Sequence, residues 1–448
     1  MLGAVSAAAA ESVDWIEGVD ATAELVEEPV FGGRVMLYQA GRRGADAVVL
    51  IHGLGRAAAR DWAKLIPALA ERYAVYALDL PGFGQSDKGN HLYSPDNFAR
   101  AVEAVLAQRV PRPFALIGHS MGGAVSLAYV AAYPRRVSRL ILVDAAGVLH
   151  RSVYAEFLAR AAAQRAMGLD SPWFESVVRA IQLRTENWPI RSDIALNLPA
   201  VRQRLLRGDP NAISAVALVE HDFSQALRGI TAPTLVIWGS DDTIAPLRTG
   251  QALASVIPQA RLAVLAGAGH APQLQMPEKF NAIVLDELAG QLRASPYALP
   301  KGSIRGGRVG RCDAQRGQEF SGDYDRLILD NCPDAQISEA RIGHLRSHHS
   351  MVRIVNSHIR DGVEAKNSRL ELTGGSVGGS LVIDATSVDA AGTRFESRSS
   401  DGTAAIASNS GDVPAVLRLS VSEVSPGGNA PRYLHDIFRL APGELLIR

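Results

Sequence analysis

Between residues 31 and 145, short runs of β-branched and other apolar residues alternate with stretches of helical spacing. Few folds accommodate that alternation, because strands buried on both faces need helices above and below a parallel sheet. The runs Arg34–Tyr38, Ala47–Ile51, Ala74–Leu78, Phe114–Ile117 and Leu140–Val143 are read as strands. The last four stop at His52-Gly53, Asp79, Gly118 and Asp144. In an open α/β sheet the carboxyl ends of the strands form the functional rim, so chemistry is expected from those positions.

The alternation lapses from about Gly147 to Gly229, where Val153, Phe157, Leu158 and Ala161 recur at helical spacing and Pro172, Pro189, Pro199 and Pro210 interrupt. This stretch is read as a helical insertion. Strands resume at Thr234–Trp238 and Arg261–Leu265, followed by a helix from Pro277 to about Leu292. A chain of 448 residues is too long for one core, and its texture changes after Pro300. All five tryptophans lie before that point, and Gly and Ser are dense beyond it. Short strand-like runs follow at Arg326–Leu329, Met351–Val355, Arg369–Leu372, Ser380–Ile383, Thr393–Phe395 and Val416–Val421. They fit a right-handed parallel β-helix or an antiparallel sandwich, and the lack of a two-residue hairpin signal favours the β-helix.

One motif concentrates the chemistry. Gly118-His119-Ser120-Met121-Gly122 sits between the strand Phe114–Ile117 and the helix-like Gly123–Tyr133, the context that a G-x-S-x-G nucleophile elbow requires. Small neighbours let backbones approach closely at a strained strand-to-helix turn, and the helix N-terminus favours negative charge. A serine hydroxyl also needs a base to take its proton and a carboxylate to orient that base. Asp242, after the strand Thr234–Trp238, and His270, after Arg261–Leu265, supply these in the order Ser…Asp…His.

With these residues the sequence resembles the α/β-hydrolase superfamily over about residues 30–293, including His52-Gly53-Leu54-Gly55 and Asp79-Leu80-Pro81-Gly82-Phe83-Gly84-Gln85-Ser86. The resemblance implies an α/β fold with a core at 30–146 and 229–296 and a helical cap at 147–228. An N-terminal extension at 1–29 and an all-β domain at 301–448 would flank them. It implies Ser120 as nucleophile, His270 as base and later acid, Asp242 as orienting acid, and the backbone N–H groups of Leu54 and Met121 as an oxyanion hole. The expected activity is cleavage of small-molecule or lipid carboxylic esters, with two alternatives: carbon–carbon bond hydrolysis on the same fold, or an envelope- or glycan-binding protein in which the C-terminal β domain is the main functional part. Serine at the elbow separates the chain from relatives that place aspartate there. Many relatives carry Glu where this chain has Gln275.

Several residues have competing readings. Asp241 and Asp144 compete with Asp242 for the acid role. His119 and His52 are read as packing and hydrogen-bonding residues, and Trp238 as core. Trp173 and Trp188 are read either as core or as pocket lining. His344, His348, His349 and His358 form the C-terminal cluster most like a metal site, but no register places three on one face; no metal and no cofactor are expected. Cys312 and Cys332 are either one disulfide or two buried thiols.

Lys+Arg and Asp+Glu both number 46, balanced at 28 against 28 before residue 300 and 18 against 18 after it. Capture of nucleic acid by bulk charge is thereby excluded. The C-terminal domain is expected to bind a glycan, an envelope component or another copy of itself, or to act as a spacer. Met1 to Ala10 is apolar and small but lacks a positively charged start. It is read as a clipped export signal or as an Ala-rich leader, which leaves a periplasmic or secreted location open beside a cytoplasmic one.

Overall fold

A computed structural model describes residues 11–156, 196–292, 307–396, 406–408, 413–425 and 430–441, with Tyr297, Ile304, Gly443 and Glu444. The central part of the insertion, with Trp173 and Trp188, lies outside the described residues, as do residues 1–10 of the leader.

The first unit is a sheet of strands β1 (Glu11–Ser12), β2 (Ala21–Glu28), β3 (Gly33–Gly41), β4 (Ala47–Ile51), β5 (Ala74–Asp79), β6 (Phe114–His119), β7 (Val137–Val143), β8 (Thr234–Gly239) and β9 (Arg261–Leu265). Their order is β1-β2-β3-β5-β4-β6-β7-β8-β9. β1, β2 and β3 pair antiparallel, β3 meets β5 antiparallel, and the rest are parallel. The sheet thus takes in Ala21–Glu28, a segment that the sequence assigns to the N-terminal extension. Its three glutamates hide the strand pattern, yet Ala21, Val26 and Glu28 are buried.

Alternate residues of the central strands feed two cores, as a period of two requires. Val49 and Ile51 of β4, Leu116 of β6 and Leu140 and Leu142 of β7 join Phe98, Val102 and Leu127 from the helices Pro95–Leu106 and Met121–Ala132. Val48 and Leu50, Ala115 and Ile117, and Ile141 and Val143 pack instead with Ile66, Leu69, Phe280 and Val284. The latter come from Ile66–Ala70 and Pro277–Leu288. Helices therefore cover both faces, and the strand ends are left as the open rim.

The second unit is all β. Strands β10 (Val309–Asp313), β11 (Arg316–Asp330) and β12 (Asp334–His348) are followed by shorter strands, among them β13 (Met351–Val355), β14 (His358–Ile359), β15 (Gly362–Lys366), β16 (Arg369–Thr373), β17 (Ser376–Gly378), β18 (Ser380–Asp384), β19 (Ser387–Ala391) and β20 (Arg394–Glu396). Pairing is parallel, with Gly362 opposite Ser380, Arg369 opposite Ser387 and Ser376 opposite Arg394, eighteen residues on in each case. Because β12 pairs with β13, β14 and β15, the parallel strands close into a ring. β21 (Ile406–Ser408) pairs with β18, and β22 (Ala415–Ser425) with β19 and β20. β23 (Arg432–Leu440) pairs antiparallel with β22. Inward Leu, Ile and Val residues such as Leu345, Val363, Leu381, Val388 and Leu417 fill the ring. Cys312 and Cys332 are joined by a disulfide.

Candidate active site

The elbow forms because two close approaches leave no room for larger residues. A Cβ on Gly118 would lie 2.3 Å from the Gly122 carbonyl oxygen, and one on Gly122 would lie 2.2 Å from that of Ile51. Between them Ser120 is held at φ 52° and ψ −117°, left-handed backbone that L-residues avoid and that marks stored strain at functional sites. Ser120 is thereby thrust to the end of β6, directly before the helix Met121–Ala132.

The strand ends then assemble the three polar residues singled out in the sequence. Ser120 Oγ lies 2.9 Å from His270 Nε2, and His270 Nδ1 lies 2.8 Å from Asp242 Oδ2. The Asp242 side chain is fully buried and its Oδ1 accepts the N–H groups of Ile244 and Ala245 at 2.7 and 3.0 Å. Because Asp242 accepts from Nδ1, the neutral imidazole presents Nε2 as the acceptor for the serine hydroxyl. This arrangement can take a proton from Ser120 and return it. Asp241, by contrast, is exposed and its Oδ1 accepts from Ser240 Oγ.

Asp144, at the end of β7, is also fully buried. Its Oδ1 accepts the Gly239 N–H at 2.9 Å, and its Oδ2 meets no donor. Burial above all, with the charge of Asp242 adding to it, pushes its carboxyl up to about 9, against the pull of the Gly239 N–H. Asp144 therefore stands beside the site as a neutral acid, a state no sequence signal announces.

The turn facing Ser120 is fixed from beneath. His52 Nε2 accepts the Leu80 N–H at 2.9 Å, so the proton sits on Nδ1 and is donated to the Gly53 carbonyl at 2.7 Å. Burial holds this ring below its ordinary pKa. Asp61, which the sequence does not single out, accepts the Gly53 N–H at 3.1 Å and faces His119 Nδ1 at 3.4 Å. Burial works to raise the Asp61 carboxyl, but His119, His52 and the Gly53 N–H together hold it below the usual range. His119 Nε2 donates to the backbone carbonyl of His270 at 2.6 Å, so the residue next to the nucleophile braces the base. Gln275 Oε1 accepts the Gly269 N–H at 2.6 Å, one residue before His270. A Cβ on Gly53, the residue before Leu54, would lie 3.1 Å from the Ser120 Cβ, and Met121 opens its helix, where backbone N–H groups lack intrahelical acceptors.

Among the described residues, the side chains spaced as metal donors are Asp144, Asp242 and His270, not the C-terminal histidines. His358 Nδ1 instead meets Ser376 Oγ at 2.6 Å, and His349 Nε2 meets Asn367 Nδ2 at 3.2 Å. Trp238 is buried in the core, its Nε1 donating to the Ala245 carbonyl at 3.0 Å. Tyr154, overlooked in the sequence, has its hydroxyl pKa raised by burial and then by the charge of Asp242.

A family model described as the alpha/beta hydrolase fold matches residues 46–277. The chain is 27% identical over 262 residues to the uncharacterized hydrolase YugF of Bacillus subtilis, covering 54% of this chain and 90% of that protein. It is 30% identical over 254 residues to a 2-hydroxy-6-oxononadienedioate/2-hydroxy-6-oxononatrienedioate hydrolase of Cupriavidus pinatubonensis, covering 55% and 87%. Among solved structures, a thermophilic esterase of Thermogutta terrifontis is similar at 25% identity and a TM-score of 0.45, over 60% of this chain and 98% of that one.

Proposed function

The chain belongs to the α/β-hydrolase family, and on that premise we propose that it is a serine hydrolase cleaving carboxylic esters through an acyl-enzyme on Ser120. The reading rests on one observation, the relay from Ser120 Oγ through the His270 ring to Asp242 at 2.9 and 2.8 Å. His270 Nε2 takes the hydroxyl proton as Ser120 Oγ adds to the ester carbonyl. Asp242 holds the ring and stabilises the imidazolium that forms. The N–H groups of Leu54 and Met121 receive the negative charge that develops on the carbonyl oxygen, a contribution typically worth about 10²–10³ in rate per donor. His270 then protonates the departing alcohol, and a water activated by the same nitrogen releases the acid.

A second reading is carbon–carbon bond hydrolysis of a vinylogous diketone on the same residues. It is favoured by the 30% identity to proteins named as 2-hydroxy-6-oxononadienedioate/2-hydroxy-6-oxononatrienedioate hydrolases in Cupriavidus pinatubonensis and Paraburkholderia xenovorans. Parallel assays with p-nitrophenyl esters from acetate to palmitate and with a ring-cleavage diketone decide between the two. Ester turnover with Ser120 labelled by a fluorophosphonate supports the first reading. Diketone turnover without ester turnover replaces it with the second.

The division of the chain belongs to the same proposal: a hydrolase core at 30–146 and 229–296 whose sheet is extended by β1 and β2 from the residues before it, a cap at 147–228 and a C-terminal domain at 301–448. That last domain is proposed to be a right-handed parallel β-helix, a reading supported by the repeated eighteen-residue parallel register.

A further inference from the structure

The segment Leu149–Glu156 lies where the two cores meet. Leu149 and Val153 are buried together with Ala252, from the hydrolase helix Leu247–Val256, and Ala391, from β19. The His150 N–H donates to Ser420 Oγ of β22 at 2.8 Å. At the end of the segment Glu156 is 4% exposed. Arg369 Nη2 donates to its Oε1 at 2.5 Å and Arg418 Nη1 to its Oε2 at 3.0 Å. Beside this clamp Arg248 grips Asp389 through Nη1 at 2.9 Å and Nη2 at 3.0 Å.

A buried carboxylate held by two guanidinium groups has little freedom to move, because leaving them would strand charge in a poor dielectric. Residues 151–156 are helical. Glu156 faces the C-terminal strands, and the chain that leads into this helix starts at the site itself, where the Ala146 N–H donates to the Ser120 carbonyl at 3.1 Å. One short helix therefore joins the C-terminal domain to the neighbourhood of the relay.

We propose that the C-terminal domain is the outer anchor of this helix, and that Glu156, clamped by Arg369 and Arg418, is a positioning residue that holds the segment running from Ala146, beside Ser120, to Glu156. The domain is then a working part of the site and not a detachable spacer. The kinetic consequence rests on the hydrolase reading above; the structural one does not.

The test uses the full chain as wild type and as Glu156→Gln and Arg418→Lys variants, read by amide hydrogen exchange and by ester kinetics. Glu156→Gln keeps the shape but removes the charge, and exchange over residues 149–156 is expected to quicken by roughly tenfold while β4–β8 and β12–β19 keep wild-type protection. KM for p-nitrophenyl esters is expected to rise by roughly fivefold with kcat changed by less than about twofold. Arg418→Lys retains the charge and is expected to restore most of both properties, which also covers the case in which Glu156→Gln does not fold. Wild-type exchange over 149–156 in folded Glu156→Gln, or faster exchange with unaltered KM, overturns the proposal, as does an Arg418→Lys chain no better than Glu156→Gln. A wild-type chain with neither turnover nor Ser120 labelling overturns the hydrolase reading alone, since the exchange arm still judges the anchor.

Discussion

Asp144 and Asp242 face each other carboxyl to carboxyl, one oxygen of each lying within 4.8 Å of the other and of a ring nitrogen of His270. Two buried anions at that separation would repel, and the Asp144 Oδ2, which meets no donor, is satisfied only as a carboxylic acid donating toward Asp242. The pair then carries one negative charge, the one that orients His270.

This relationship fixes a pH dependence. In the unfolded chain Asp144 ionises at about 4, whereas in the folded protein its carboxyl is pushed up to about 9 by burial and by Asp242. A folded value raised above the unfolded one gives stability that is fully present below about pH 4 and is lost as pH rises toward 9, because unfolding releases a proton that folding retains. Asp144→Asn keeps an acceptor for the Gly239 N–H and presents a neutral donor. Urea midpoints should show the variant gaining on wild type as pH rises from 5 to 8, by up to about 1.4 kcal/mol per unit. A stability difference flat across that range would refute the neutral assignment.

Gly122 fixes a steric prediction. Its missing Cβ is what lets the elbow helix sit 2.2 Å, by the Cβ position, from the Ile51 carbonyl oxygen. Gly122→Ala should force the helix Met121–Ala132 away from β4 and cost about 1–3 kcal/mol. Thermal unfolding reads the stability, and Ser120 labelling by a fluorophosphonate should fall with it. A variant with the wild-type midpoint and labelling rate would show that the elbow has slack.

The elbow and the strands around it are legible in the sequence because burial on both faces leaves near-continuous apolar runs, as in Ala47–Ile51, whose ends match the structure residue for residue, and the edge strand Arg261–Leu265 is matched as well although only Leu265 is buried in it. Other features depend on partners remote in sequence. β2 carries Glu24, Glu27 and Glu28 and pairs with β3 by register alone. β12 mixes Glu339, Arg341 and Arg346 with its inward Ile337, Ile342 and Leu345, so charge masks its alternation. The bracing of His270 by His119 and the clamp of Arg418 on Glu156 join residues more than a hundred positions apart along the chain. No local pattern encodes such contacts.

The relay itself predicts a division of effects. Ser120→Ala should leave the fold intact and lower kcat by roughly 10⁴–10⁶, the range seen when a triad nucleophile is removed. Asp242→Asn should cost about 10⁴ by favouring the wrong tautomer of His270. Activity in Asp242→Asn close to wild type would transfer the acid role to Asp144, whose oxygen lies within the same 4.8 Å group.

The contact between the two cores yields the last prediction. Arg248 is 10% exposed and Asp389 5% in their side chains, and their two hydrogen bonds at 2.9 and 3.0 Å cross from the hydrolase helix Leu247–Val256 to β19. Burial opposes the Arg248 charge, yet Asp389 and Glu371 hold its pKa above the ordinary value, while Arg248, Arg418 and Arg369 hold Asp389 below its own. Arg248→Met removes one partner and leaves Asp389 buried against a thioether, which should cost about 3–5 kcal/mol. Replacing both partners, as Arg248→Met with Asp389→Leu, leaves no stranded carboxylate and should recover much of that loss. Urea unfolding of the two single variants and the double variant gives the coupling directly. Additive losses would mean that the pair contributes nothing as a pair and that the two cores meet through apolar contacts such as Val153 with Ala391.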